Sequence, residues 1–476
     1  MLTLDTFYID GRWASPAPGA TLMDVIDPAT EAPIGKLAMG GEADVDRAVS
    51  AARKALASWS QTSQAERIAL LERIVDAYQA RFDDLAEAVC TEMGCPLPLS
   101  HELQAAMGLA HFRLTLKALR SFAFEHAQEQ TLLVREPIGV AALITPWNWP
   151  LNQIVAKLAP ALAAGCTVVL KPSEVTPLSA RLLADVLHDA GVPAGVFNMV
   201  FGLGPVVGTA MARHPDVAMI SITGSTRAGI DVAVNSAPTV KRVTQELGGK
   251  SPFIVLDDAE LPAAISAGVL TCMSNSGQTC VAPTRMLVPR ATYQEATVIA
   301  ANTAHALQVG PPRDPASKLG PIAHRAQYEH VQQMIDKGIN EGARLIAGGP
   351  GRPASLARGF YARPTIFADV SNDMAIAREE IFGPVLVMIP YDTEEDAIAI
   401  ANDTPYGLAG YVWSGDAARA LRVARRIRAG AVQINAAHID LSAPFGGYKA
   451  SGNGREFGHE GIGEFLEWKS IPGGVM

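Results

Sequence analysis

Charge is scarce in this chain. Asp, Glu, Lys and Arg make up 18% of its 476 residues, and the balance is acidic, with a formal charge of −9 at pH 7. There is no basic footprint of the kind that holds nucleic acid. Cysteine is also sparse. Five residues, Cys90, Cys95, Cys166, Cys272 and Cys280, are widely spaced, an odd number with no paired CxxC, so neither a disulfide framework nor a zinc site is indicated. Long apolar runs are missing as well. The longest, Leu158 to Leu170, is interrupted by Pro160 and Gly165 and is too short to span a bilayer. The opening MLTLDTFYIDGRW lacks a basic region followed by an apolar stretch, so no secretory signal is read and the expected setting is the reducing cytoplasm. No repeat or low-complexity tract occurs.

Apolar material is plentiful, at 49% of the residues. A chain of this length predicts two or three lobes. Val45, Val49, Ala52, Leu56 and Trp59 recur at helical spacing, as do Ile68, Leu71, Val75 and Tyr78, and 43–126 reads as helices. From 138 short apolar runs (Ile138–Thr145, Thr167–Leu170, Val196–Val200, Val217–Thr223) alternate with helical patterns near 151–164, 177–190 and 204–213. That alternation predicts a parallel sheet covered by helices. A second α/β alternation follows a boundary near 247–250, with strands at Pro252–Leu256, Val385–Tyr391, Gly410–Trp413 and Ala431–Asn435. The Gly-, Pro- and Arg-rich stretch 348–359 reads as a surface connection.

Several short motifs carry chemistry. SNSGQTC (274–280) sets Cys280 beside small turn-forming residues at the end of a helix. A free thiol has a pKa of about 8.5, so a reactive cysteine needs help from its surroundings, and most cysteines are simply small buried apolar groups. That plainer reading is taken for the other four. QELGGK (245–250) ends a strand with Glu246 before two glycines, where the carboxylate is either a base above a cleft or a solvated strand end. TPWNWP (145–150) holds Asn148, a neutral donor for a developing alkoxide, in a turn stiffened by Pro146 and Pro150. LKPSE (170–174) follows a buried strand, the edge at which doubly wound sheets hold nucleotides. There Lys171 suits ribose or phosphate oxygens and Glu174 ribose hydroxyls, unless the two merely pair at the surface. ITGSTRAG (222–229) opens a helix with exposed N–H groups suited to a pyrophosphate. GLGPVVG (202–208) misses the dinucleotide fingerprint by one residue and carries no weight.

Taken in order, PWNWP, LKPSE, ITGS, QELGGK, GQTC, EEIFGP (379–384) and APFGGYKASGNGRE (443–456) resemble the NAD(P)-dependent aldehyde dehydrogenase superfamily over positions 146–456. The resemblance implies an α/β fold: a Rossmann-type cofactor domain (1–118 and 138–247), an α/β catalytic domain (248–450) and a small β oligomerisation arm (119–137 and 464–476). It implies NAD-dependent oxidation of an aldehyde to the acid, NADP being the alternative, in a homodimer or homotetramer. Cys280 resembles the nucleophile, Glu246 the general base and Asn148 the oxyanion donor. Lys157 and Glu456 match positions linked to proton movement. For the cofactor the implied contacts are Thr145, Pro146, Trp147, Lys171, Ser173, Glu174, Gly224, Ser225, Leu247, Glu380 and Phe382. By analogy the substrate tunnel draws on Trp149, Gln153, Ala156, Ser274, Thr279, Val281 and Ile439. Ala156 and Ser274 are small, which predicts room for an aromatic or medium-chain aldehyde. Trp149 and Ile222 depart from a common phenylalanine. Relatives that transfer the acyl group to coenzyme A commonly lack the glutamate present here at 246, so hydrolysis is favoured. A non-catalytic protein keeping the same fold is the other rival.

Overall fold

The computed structural model describes residues 2–475. Its first large sheet has eight strands. In spatial order they are Gly452–Asn453, Arg242–Glu246, Met219–Thr223, Val140–Ile144, Thr167–Lys171, Phe197–Met199, Phe7–Ile9 and Arg12–Ala14. The five central strands run parallel, and Val140–Ile144, Thr167–Lys171 and Met219–Thr223 are buried along their whole length. Burial on both faces is why they read as unbroken apolar runs rather than as alternating ones. Register then fixes the site. Ile144 pairs with Lys171, and Thr223 with Glu246, so Thr145, Lys171, Thr223 and Glu246 finish at one edge of the sheet.

The helices on this sheet begin and end where local chemistry dictates. Pro150 and Pro177 occupy first turns, where no N–H partner is needed. Pro150–Ala164 is buried throughout and stops at Gly165, whose φ of 91° only glycine adopts freely. Ser63 and Glu66 form a reciprocal cap at the start of Gln64–Ala80. The apolar stripes expected over 43–126 lie on Glu42–Trp59, Gln64–Ala80, Phe82–Met93 and Ala106–Ser121. Between the last two, Ser100–Ala105 forms a π-turn.

The second sheet has seven strands in the order Arg344–Ala347, Thr365–Ala368, Val385–Tyr391, Arg285–Pro289, Pro252–Val255, Ala409–Trp413 and Ala431–Ile434. All neighbours are parallel except the first pair. A separate three-stranded sheet joins Glu125–Gln128, Thr131–Pro137 and Leu466–Pro472. Its strands start after the helices that end at Ser121 and Glu464, a few residues inside the bounds drawn for the arm.

The first forty residues differ from the sequence reading, which assigned them no strands. They form five, two of which extend the eight-stranded sheet while the others make a small sheet of their own. Three of the five span only three residues, too short to display a period of two.

Candidate active site

A cleft of about 260 Å³ is lined by Pro146, Trp147, Asn148, Gln153, Thr223, Gly224, Ser225, Leu247, Gly248, Cys280, Gln327, His330, Glu380 and Phe382. It thus joins the edge of the first sheet to three segments of the second lobe. Cys280 is partly exposed in it, whereas the other four cysteines are buried. Burial, helped by the negative charges of Glu380 and Glu246, pushes the Cys280 thiol up to about 12. At rest the sulfur therefore keeps its proton and needs a base to remove it.

Asn148 is buried, and its Nδ2 donates to the main-chain O of Gln278 at 3.1 Å. A side-chain amide has two N–H groups, so one remains for the cleft that this residue lines. Trp149 Nε1 donates to Thr279 Oγ1 at 3.1 Å, linking the same turn to the residue before the thiol.

Glu246 lies elsewhere than a cleft between lobes. It is buried at its strand end, both carboxylate oxygens lack a partner, and it lines a separate water-sized chamber with Ala156, Thr244, Arg455, Glu456 and Glu464. Desolvation and the neighbouring Glu456 raise its pKa well above the carboxylate range, opposed by Lys157 and Arg455. A carboxyl so raised is a better proton acceptor than a solvated one. Lys157, itself buried, forms an ion pair with Glu456 at the rear of this chamber. Leu247 and Gly248, the residues after Glu246, line the main cleft, so the strand end that carries Glu246 borders both spaces.

The nucleotide-type features sit on the same edge. Ser225 caps the helix Thr226–Ser236 by accepting from Ala228 N at 3.3 Å, and a Cβ on the adjacent Gly224 would make only ordinary contacts, the nearest 3.8 Å from Ala228 Cβ. Thr223 Oγ1 lines the cleft, buried and without a partner, an orphan that a polar ligand would satisfy. Lys171 Nζ pairs with Glu174 at 2.9 Å, and Ser173 Oγ accepts from Val175 N at 3.2 Å. Thr145 N donates to Lys171 O at 3.1 Å, which holds the two loops together. Across the cleft Glu380 accepts from Gly249 N at 2.9 Å, and burial raises its carboxyl to about 7. A Cβ on Gly248 would stand 2.2 Å from Glu380 Oε2, so a larger residue there would push the Glu380 carboxylate aside. Phe382 has a left-handed φ of 55° and meets Trp147 edge-on at 5.5 Å.

Two cleft residues belong neither to the motifs nor to the residues named by analogy. Gln327 and His330, three apart on the helix Arg325–Asn340, face it; Gln327 Nε2 donates to the main-chain O atoms of Ile381 (2.9 Å) and Phe382 (3.0 Å). A polar pair at helical spacing was the available signal, and it is common on any solvated helix face. The tunnel residues are dispersed. Gln153 lines the cleft and Ala156 the rear chamber. Ser274 ends the helix Leu261–Met273, and Val281 packs on the second lobe's core while its O accepts from Tyr411 at 2.8 Å. Ile439 lies on the largely exposed loop after Ala431–Ile434.

Comparison with known proteins decides the family: a model of the aldehyde dehydrogenase family matches residues 13–471. The chain belongs to that family. It is an oxidoreductase that converts aldehydes to acids with a nicotinamide dinucleotide. The aldehyde dehydrogenase is 54% identical to a 3-succinoylsemialdehyde-pyridine dehydrogenase of a Pseudomonas species, over 98% of each chain. Among solved structures it is similar to aldehyde dehydrogenase C of Pseudomonas syringae, a cysteine-to-alanine mutant in complex with NAD+ and octanal. There the TM-score is 0.97 at 54% identity, over 98% of this chain and 96% of that one. The Mycobacterium tuberculosis enzyme complexed with NAD+ gives 0.96 at 43% identity, over 99% and 98%.

Proposed function

We propose that Cys280 is the nucleophile of this aldehyde dehydrogenase, Asn148 its oxyanion donor and Glu246 its general base. The observation that carries this is the cleft itself, which holds the partly exposed thiol, the Asn148 amide and the polar edge of the cofactor sheet in one space. Cys280 loses its proton to Glu246 and attacks the aldehyde carbon. The alkoxide of the resulting thiohemiacetal lies against the free Asn148 N–H; losing such a donor raises a barrier by about 3 kcal/mol. When bound, the nicotinamide supplies the acceptor for the hydride. Collapse of the alkoxide leaves a thioester on Cys280, and Glu246 takes a proton from the water that hydrolyses it. Glu246 passes each proton, the one from Cys280 before hydrolysis and the one from water after it, to the Lys157–Glu456 pair, which releases it to solvent.

Residues for the dinucleotide are Thr145, Pro146, Trp147, Lys171, Ser173, Glu174, Gly224, Ser225, Leu247, Glu380 and Phe382, to which Gln327, His330 and the orphaned Thr223 hydroxyl are added. The carboxylate of Glu174 beside Lys171 disfavours a 2′-phosphate, which supports NAD over NADP. A medium-chain or aromatic aldehyde is the proposed substrate class, supported by the octanal bound to the Pseudomonas syringae relative. We take the enzyme to act in the cytoplasm as a homodimer or homotetramer; no described helix is long and apolar enough to cross a membrane.

The test is NADH absorbance with aliphatic, aromatic and semialdehyde substrates, with NAD and NADP, and without coenzyme A. Steady turnover to free acid, fastest with octanal-sized or aromatic aldehydes and NAD, is expected. A strict need for coenzyme A would overturn hydrolysis, and a preference for acetaldehyde would overturn the substrate class.

A further inference from the structure

Behind the oxyanion donor lies a ring of buried amides that the reaction as described does not use. Gln104 belongs to the π-turn Ser100–Ala105, an irregularity that tends to occur at functional sites. Its Nε2 donates to the main-chain O of Asn148 at 3.1 Å and stands 3.4 Å from Asn275 Oδ1. Asn275 Nδ2 donates to the same Asn148 O at 3.0 Å and reaches Gln278 O at 3.3 Å, the acceptor already bonded by the Asn148 side chain. Gln278 is held in turn: its Nε2 donates to Asn275 O at 3.0 Å, and its Oε1 accepts from Ala323 N at 2.9 Å. All four side chains are buried.

Three segments meet here: the helical layer of the first lobe, the turn after a central strand, and the loop that ends at Cys280. The loop enters in an unusual conformation. Asn275, Ser276 and Gly277 have φ of 54°, 56° and 71°, three left-handed residues in succession, two of which carry side chains. Such strain persists only where the surroundings hold it. Gly277 has no freedom to change, since a Cβ would stand 2.0 Å from Gly383 O. Gln104 Oε1, meanwhile, is buried with no partner, a poor arrangement if stability were its purpose.

We propose that Gln104 and Asn275 are positioning residues for the oxidation. Between them they saturate both lone pairs of the Asn148 carbonyl. That fixes the turn, so one Nδ2 hydrogen stays on Gln278 O and the other points at the alkoxide formed on Cys280. The proposal rests on Asn148 being the oxyanion donor, and its test separates the two ideas.

Gln104→Met keeps length and volume but removes the donor. It is measured alone, with Asn148→Ala alone, and as the double variant, following single-turnover NADH formation, NAD dissociation constant and melting temperature. Gln104→Met is expected to slow single-turnover NADH formation by about 10- to 100-fold, the scale of a small misplacement. NAD affinity should not change. In the Asn148→Ala background the same substitution should change the rate less than about twofold, because the group it positions is gone. A normal rate in Gln104→Met, with Asn148→Ala slow, overturns the proposal alone. An equal further loss in the double variant also overturns it, since that is the mark of a merely structural residue. A normal rate in Asn148→Ala overturns the underlying reading and the proposal with it. Should Gln104→Met fail to fold, Asn275→Gly is read in the same two backgrounds. It deletes the amide while glycine accepts the left-handed backbone.

Discussion

Desolvation, reinforced by two nearby carboxylates, makes Cys280 hold its proton, and the carboxylate contribution can be tested directly. Removing the negative charge of Glu380 stabilises the thiolate, so Glu380→Gln should lower the pKa of Cys280 from about 12. Alkylation of the cofactor-free enzyme by iodoacetamide, followed against pH, should then reach a given rate at lower pH in the variant than in the parent. Cys280→Ala should abolish NADH formation. Glu246→Gln should give one burst of NADH per site and then stall at the thioester, detectable by mass spectrometry of the trapped enzyme. The raised carboxyl of Glu246 also sets the sign of the pH profile: the base works only when deprotonated, so hydrolysis should climb with pH at values above the ordinary carboxylate range. A profile already flat from pH 5 upward would remove Glu246 from the rate-limiting step.

Among secondary-structure elements, one junction titrates. The helix Pro177–Asp189 has no side-chain cap of its own; Glu92, from the end of Phe82–Met93, accepts from Leu178 N and Ser179 N instead. Burial raises that carboxyl from 4.5 to about 8. The folded state thus favours the protonated form, and stability tied to it is present below pH 4.5 and lost as pH rises through about 8. Urea unfolding from pH 5 to pH 9 should show the parent losing stability relative to Glu92→Gln. Glu92→Ala should cost about 1 kcal/mol or more through loss of the cap.

This junction also shows what a sequence can disclose. The helices, the fully buried strands and the loops at their ends were legible because period and punctuation are local. Glu92 capping a helix 86 residues on, Gln104 reaching Asn148 and the chamber around Glu246 depend on distant segments meeting, and no local pattern records that. Gln104 is doubly hidden, since a π-turn shifts the helical phase that a periodicity reading follows. The N-terminal strands escaped notice because they are so short.

For the whole molecule, the three-stranded arm offers exposed backbone and side chains at its outer face. Trp468 is 58% exposed, and Ile471 40%. Large apolar side chains exposed on one strand mark a candidate association surface. Deleting residues 466–475 should reduce the molar mass measured by light scattering to that of a monomer, somewhat below the 50.2 kDa of the full chain. An unchanged mass would place the assembly surface elsewhere.

The strand that carries Glu246 is completed from far along the chain. Gly452–Asn453 pairs with Gln245 and Glu246, and Ser451 bonds the main chain at both Gly248 and Gly407. During synthesis, then, the ribosome must release nearly the entire polypeptide before the base has its final neighbour. A nascent chain stalled before residue 451 would hold Cys280 but lack the strand that borders Glu246. The final pairing of the Glu246 strand thus waits on residues made more than 200 positions after it.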